Sequence, residues 1–303
     1  MSAAAAPFWL VLTPSADDAA WREAIQSSVV AAGMVLRDSE REVPGSTDNP
    51  AGEVWLTADC DVVASFGRTP TVVIIPRPET APEAISEKFG IPAPHSVSHA
   101  SILLARAAAQ EPRSTRMILG REIAEFRGKP IPLALGLAIV PPMPKDVEIV
   151  RPAVRTALEL YASPPVAGRE AVWSERIFRY DDPASRRSEN IGELDITGRP
   201  RILVYGPYLG LPAGHWSVRV RFLVDKVAAN HEFRVDWGTS ADFATQSIQA
   251  PHAGVYEVEL HHYWPNTDYG EVRFWLMEGA FDGRMHFLGA TLTYGGKRQA
   301  NAA

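Results

Sequence analysis

The chain has a single cysteine, Cys60, among 303 residues, which excludes an internal disulfide and any paired-thiol motif. It also lacks an excess of basic charge. Its 30 Lys and Arg stand against 36 Asp and Glu, a net charge of −6, so nothing in bulk draws it to nucleic acid or to an anionic membrane. Long apolar runs are missing as well. The longest, Ile131 to Pro142 (IPLALGLAIVPP), falls short of the ~18 residues that suggest a membrane span and contains Pro and Gly. It reads as a buried connector or a strand. The opening MSAAAAPFWLVLTPSADD has no basic region before a short apolar run, and the expected location is the cytoplasm.

The strong catalytic signatures are absent too. There is no Walker loop, no GxGxxG, no GxSxG elbow, no HExxH and no CxxC pair, which favours binding over catalysis and leaves no cofactor expected. No heptad, solenoid period or low-complexity tract appears. What is present is ordinary for a globular chain, with 46% hydrophobic and 22% charged residues. The length suggests two domains, and the 25 prolines suggest many turns and a rigid connecting region.

In the first half, apolar strand-like runs alternate with helical patterns. Phe8 to Leu12 is continuously apolar, and Trp21, Ile25, Ser28, Val29 and Ala32 then share a helix face, with Ser15 or an acidic neighbour as a cap. Met34 to Leu36, Val54 to Leu56 and Thr71 to Ile75 are further strands, the last apolar enough for the centre of a parallel sheet. Helices are expected near Ala81 to Phe89 and His95 to Gln110, a short helix or strand over Asp59 to Phe66, and further helices over Arg113 to Arg127 and Asp146 to Tyr161. The expected organisation is a small Rossmann-like α/β domain over 1–112, a helical connector and linker over 113–168, and a β-sandwich of jelly-roll type over 169–296.

In the second half, strands dominate and aromatic residues crowd in. Expected strands are Val172 to Arg179, Glu193 to Thr197, Arg201 to Tyr205, Trp216 to Val224, Glu232 to Trp237, Val255 to Tyr263, Val272 to Met277 and His286 to Tyr294. Between Tyr205 and Trp216, Gly206-Pro207 is expected to break the strand before an exposed platform and a second turn at Pro212-Ala213-Gly214. Trp216, Val218, Val220 and Phe222 alternate with Ser217, Arg219 and Arg221, the period of a strand buried on one face.

The segments GELDITGRPRILVYGPYLGLPAGHW, FRVDWG, GVYEVEL and WLMEGAFDGRMHFLGATL, from about Gly192 to Tyr294, resemble the jelly-roll, carbohydrate-binding-module-like domains attached to bacterial proteins of polysaccharide synthesis. The likeness covers roughly the last third of the chain, and GPYxxLPxGxW is its most distinctive part. It implies a β-sandwich and a glycan context, and it carries no residue roles.

Aromatic rings are the residues' own signal for saccharide, because sugars stack apolar faces on flat rings while acids, amides and Arg bond the hydroxyls. Trp264 and Tyr269 bracket the loop WPNTDY, with Asn266 and Asp268 between them, and Trp275 shares a strand face with Arg273. These residues and Tyr208 are the candidate saccharide site, with edge packing or an interdomain contact as the alternative for Trp264, Tyr269 and Trp275. Trp216 and Trp237 follow the buried alternation and read as core. Asp59 and Asp61 form a DxD pattern that could hold a metal against a nucleotide sugar, or simply place acids at a helix N-terminus. His95 and His99 lie four apart with no third ligand in sight, and His261 and His262 fall on opposite strand faces. Cys60, beside acids, reads as a buried thiol. The expected partner is a saccharide or a protein of glycan assembly, with a nucleotide-sugar transferase and an oligomeric scaffold as the other readings.

Overall fold

A computed structural model describes residues 7–42, 52–66, 69–110, 115–126, 128–146, 151–181 and 191–297. The chain divides into two compact units. One comprises Met1–Val150 and Tyr161–Pro164, the other Arg151–Leu160 and Pro165–Ala303. The segment expected as a connector is therefore shared out between the units rather than standing apart from both.

The first unit runs β1 (Phe8–Leu12), α1 (Asp18–Ala31), β2 (Val35–Asp38), β3 (Glu53–Thr57), α2 (Cys60–Ala64), β4 (Thr71–Ile75), α3 (Ala81–Phe89), α4 (His95–Ala108), β5 (Thr115–Leu119) and α5 (Gly120–Glu125). The five strands pair in parallel in the order β2-β3-β1-β4-β5. β1, β3 and β4 are buried at every position, because a parallel sheet carries its crossovers on its faces and its central strands meet no water. Trp21, Ile25 and Val29, each four residues apart on α1, pack on Phe8, Leu10, Leu12, Val54, Leu56, Val72 and Ile74. Strand alternation sends Trp9, Val11, Trp55 and Val73 to the opposite face, where Trp9 and Trp55 lie 5.8 Å apart and α4 packs against β4.

Two expectations for this region need correction. Of the residues expected as one helix from Arg113 to Arg127, Thr115–Leu119 form β5, paired with β4, and Gly120–Glu125 form α5, while Arg113, Ser114 and Arg127 lie outside the described residues. Met117 and Ile118 happen to match a helical spacing, but an open sheet edge beside β4 binds them more strongly than local propensity does. The helix expected over Asp146 to Tyr161 is the shorter α6 (Pro152–Leu158), with Pro152 in its first turn, where a missing N–H costs nothing. Val147 and Val150 lie outside the described residues. The apolar stretch from Ile131 is a small hairpin of β6 (Ile131–Pro132) and β7 (Ala138–Ile139), whose Ile131, Leu137 and Ile139 join the α1-side core.

The second unit contains β8 (Glu170–Trp173), β9 (Arg179–Tyr180), β10 (Glu193–Asp195), β11 (Arg201–Leu211), β12 (Gly214–Val224), β13 (Glu232–Gly238), β14 (Phe243–Gln249), β15 (Gly254–Trp264), β16 (Asp268–Leu276) and β17 (Arg284–Gly296). These form a β-sandwich. One sheet has the order β10-β17-β12-β15, with β8 also paired to β17, and the other has the order β14-β13-β16-β11-β9. The inward residues of the two sheets meet as aromatic contacts. Phe222 of β12 lies 4.8 Å from Phe274 of β16, and Trp237 of β13 lies 4.9 Å from Trp264 of β15. Trp216 and Trp237 are fully buried, as their alternation requires.

The strand expected over Val172 to Arg179 is split, with β8 in one sheet and β9 in the other. Gly206-Pro207 does not end a strand either. β11 continues through it to Leu211, and the register slips between Pro207 and Leu209 as a bulge on Tyr208. Gly206 has φ 108° and Tyr208 φ 61°, so the chain absorbs the extra residue by a left-handed excursion and resumes pairing with β16. The expected platform is thus largely core, with Leu209 and Leu211 buried. β14 escapes sequence reading, because FATQSIQ has little alternation and pairs on one side only, with β13.

Candidate functional site

The outer face of the β14-β13-β16-β11-β9 sheet carries an unusual set of side chains. Phe233, Val235 and Trp237 of β13 point into the core, as do Val272, Phe274 and Leu276 of β16. Alternation therefore turns Arg234 and Asp236 outward, together with Tyr269, Glu271, Arg273 and Trp275. The register then brings them together: Arg234 opposite Trp275, Asp236 opposite Arg273, and Tyr205 of β11 opposite Arg273.

These groups hold one another in fixed positions. Trp275 Nε1 donates to Asp236 Oδ2 at 2.7 Å, Arg234 Nε lies 3.0 Å from Asp236 Oδ1, and the Arg234 guanidinium lies 4.8 Å from the Trp275 ring centroid. One strand over, Arg273 Nη2 donates to Glu271 Oε2 at 2.7 Å and its guanidinium sits 4.2 Å from the Phe243 ring. The Tyr208 ring lies 5.6 Å from the Arg179 guanidinium. Burial, and then the hydrogen bond and negative charge of Glu271, raise the Tyr208 hydroxyl well above the usual phenol value. The bond to Glu271 raises the Arg273 guanidinium further, so this cation is charged at any working pH.

The carboxylates are the unexpected part. Asp236 is only 4% exposed and Glu271 only 2%, although both project from the outer face. Burying a charge is expensive unless it is paired and hydrogen-bonded, and each of these is paired by an arginine and braced by an aromatic residue. The result is a stiff strip of donors, acceptors and half-buried rings.

The sequence candidates divide clearly against this geometry. Trp275, Arg273 and Tyr208 belong to the strip, and Tyr269 lies on the same face of β16. Trp264 does not. It is fully buried, between Trp237 and the edge of His262, whose centroid is 4.6 Å away, because the inward alternation of β15 through Val258 and Leu260 continues to its last residue. Trp264 therefore offers no face to a sugar. Asn266 sits in the β15–β16 turn, and Asp268 opens β16 with its Oδ1 accepting the Tyr269 N–H at 2.7 Å. Asp236, Glu271, Arg234, Arg179 and Phe243 were missed. The alternation in FRVDWG already turns Arg234 and Asp236 away from the core, but only the strand register shows what stands next to them.

The other sequence candidates are occupied by simpler roles. Asp59 Oδ1 caps α2 through the Asp61 N–H at 3.0 Å. Arg106 then reaches Asp59 at 2.8 Å and Asp61 at 2.9 Å, so one guanidinium bridges the two acids of the DxD pair. Among the described residues no group of three His, Cys, Asp or Glu is placed to hold a metal. Burial, then Asp59 and Asp61, push the Cys60 thiol up to about 12. No helix among the described residues is long and apolar enough to cross a membrane.

No protein-family model and no curated protein matches this sequence. Similar solved structures do exist. A family 61 carbohydrate-binding module in complex with β-1,4-galactotriose is 11% identical over 39% of this chain and 80% of its own, with a TM-score of 0.28. The xylan-binding module of family 15 is 11% identical over 40% of this chain and 90% of its own, with a TM-score of 0.24. A family two carbohydrate esterase from Cellvibrio japonicus is 16% identical over 43% of this chain and 34% of its own, with a TM-score of 0.25.

Proposed function

We propose that the second unit is a saccharide-binding module and that the strip around Trp275, Arg273, Asp236, Glu271 and Tyr208 is its binding face. The observation that carries this reading is the pair of buried carboxylates on an outward sheet face, each fixed by an arginine and an aromatic ring. A face used only for solvation has no reason to desolvate two acids. A face that recognises hydroxyl groups does, because pre-positioned acceptors and donors bind them without paying ordering entropy again. The edges of Trp275, Tyr208 and Phe243 supply apolar surface for the C–H faces of a pyranose. The finer assignment, an accessory role in polysaccharide assembly, rests on the sequence resemblance.

The test is titration of the whole protein with a panel of neutral oligosaccharides, followed by tryptophan fluorescence and calorimetry. For the best ligand, Trp275→Ala and Arg273→Ala are each expected to weaken binding about tenfold or more, roughly 1.4 kcal/mol. Unchanged affinity in both variants, or a flat response to the entire panel, would remove this reading.

A further inference from the structure

The first unit has a cavity of its own. It holds about 470 Å³, within the range of small-molecule sites, and it opens at the carboxyl end of the parallel sheet. Its walls come from the β1–α1 loop, the residues after β2 and β3, and the helices α3 and α4. Strand order places it well. The chain leaves β1 for β2 on one side of the sheet and leaves β3 for β4 on the other, so the loops after the neighbouring strands β1 and β3 part here, which is where open α/β sheets form their crevices.

The two ends of the cavity differ in chemistry. At the α1 end, Ser15 lines the wall at 1% exposure, and its Oγ has no hydrogen-bond partner among the described residues. A buried hydroxyl left unpaired is costly, and this one stands beside the first turn of a 14-residue helix whose cap residue, Asp17, makes no side-chain capping bond. Helix N–H groups in that turn lack intrahelical acceptors and carry partial positive charge. Most acids around the cavity carry a cationic partner: Asp17 pairs with Arg77 at 3.0 Å, Asp18 with Arg22 at 2.7 Å, Glu40 with Lys88 at 2.7 Å and Asp59 with Arg106 at 2.8 Å, while Glu87 also lines the wall. Lys145, on the rim, is fixed through its backbone N–H to Asp17 at 2.7 Å, and its ammonium has no ion pair among the described residues. At the other end, Phe89 is 51% exposed, its ring lies 6.0 Å from that of His99, and Ile85 and Leu103 complete an apolar wall.

We infer that this cavity binds a nucleotide, a ligand that joins an anion to a planar ring, with the phosphate at Ser15, the α1 N-terminus and Lys145 and the base against Phe89 and His99. The phosphate contacts named here all come from the chain itself, so binding is expected without a divalent metal.

Calorimetry on the full chain in EDTA would use UDP, ADP and GDP, the three parent nucleosides, and inorganic phosphate. At least one diphosphate is expected to bind saturably and its nucleoside about tenfold or more weakly. Lys145→Ala and Ser15→Ala are expected to weaken that diphosphate about three- to tenfold. Phe89→Ala should weaken it while leaving inorganic phosphate unchanged, and Trp275→Ala should leave nucleotide binding at the parent level, separating this site from the saccharide face. The inference fails if none of the three nucleotides binds protein that circular dichroism shows to be folded. It also fails if nucleoside binds as tightly as nucleotide, or if Lys145→Ala and Ser15→Ala both bind like the parent.

Discussion

The two units solve the same problem, burying a sheet, in opposite ways. In the first unit helices close both faces of a parallel sheet, so β1, β3 and β4 are apolar throughout and polar chemistry is expelled to the strand ends. In the second unit each sheet buries one face against the other sheet, so inward and outward residues alternate along its strands. Function in the first unit can therefore collect only in loops at the sheet edge, whereas in the second it can spread across a strand face. The ion pairs follow this rule. Those near the cavity of the first unit involve loop and helix residues, such as Asp17 with Arg77 and Asp59 with Arg106. Those of the strip lie within strands, Arg234 with Asp236 and Arg273 with Glu271.

The comparison can be broken most severely in the core of the sandwich. Trp264→Ala removes a fully buried ring packed on Trp237 and should cost about 3–5 kcal/mol, read as a fall in the denaturation midpoint. A cost under about 1 kcal/mol would mean that the ring is not core. Glu271→Ala comes next. It leaves the Arg273 guanidinium without its carboxylate and the Tyr208 hydroxyl without its acceptor, and because Arg273 is still partly solvated the expected loss is about 1–3 kcal/mol. Equilibrium unfolding in urea measures it, and Arg273→Met combined with Glu271→Leu should recover part of the loss if the pair is a cost borne for binding.

A smaller effect tests the first unit. Asp59→Ala removes the cap of α2 and should cost about 1 kcal/mol, with no change in the response to Mn²⁺ or Mg²⁺. A metal-dependent change in melting temperature that Asp59→Ala abolishes would instead restore a metal role for the acid pair.

The smallest effect concerns His262. Burial lowers its pKa below the ordinary 6.5, against the opposing pull of Asp242. The folded state thus favours the neutral ring. Its contribution is fully present above the unfolded value and is lost as pH falls through 6.5 toward the lowered folded value. A His262→Gln variant should show a shallower loss of stability between neutral and mildly acidic pH, and an identical pH profile would rule this histidine out as the cause.

Much of the fold was legible because its periodicities are strong. The four-residue spacing of Trp21, Ile25 and Val29 and the alternation from Trp216 to Phe222 mark α1 and β12 without any tertiary information. β5 was misread because five residues hold too little pattern to separate strand from helix, and β14 because an edge strand with polar residues on both faces carries none. Trp264 was misjudged because the neighbouring turn residues suggested exposure, while its own position in the β15 alternation pointed to burial.

By itself the sequence determined the central apolar strands of the first half and the alternating strands of the second, since local hydrophobic period follows directly from backbone geometry. It also placed Trp275 and Arg273 on one strand face. Only the tertiary structure decided that Asp236, Glu271 and Tyr208 stand beside them, and that Ser15, Lys145 and Phe89 line one cavity. Those neighbours come from register and crossover between segments far apart in the chain, and register is fixed by the packing of whole sheets rather than by any residue's own preference.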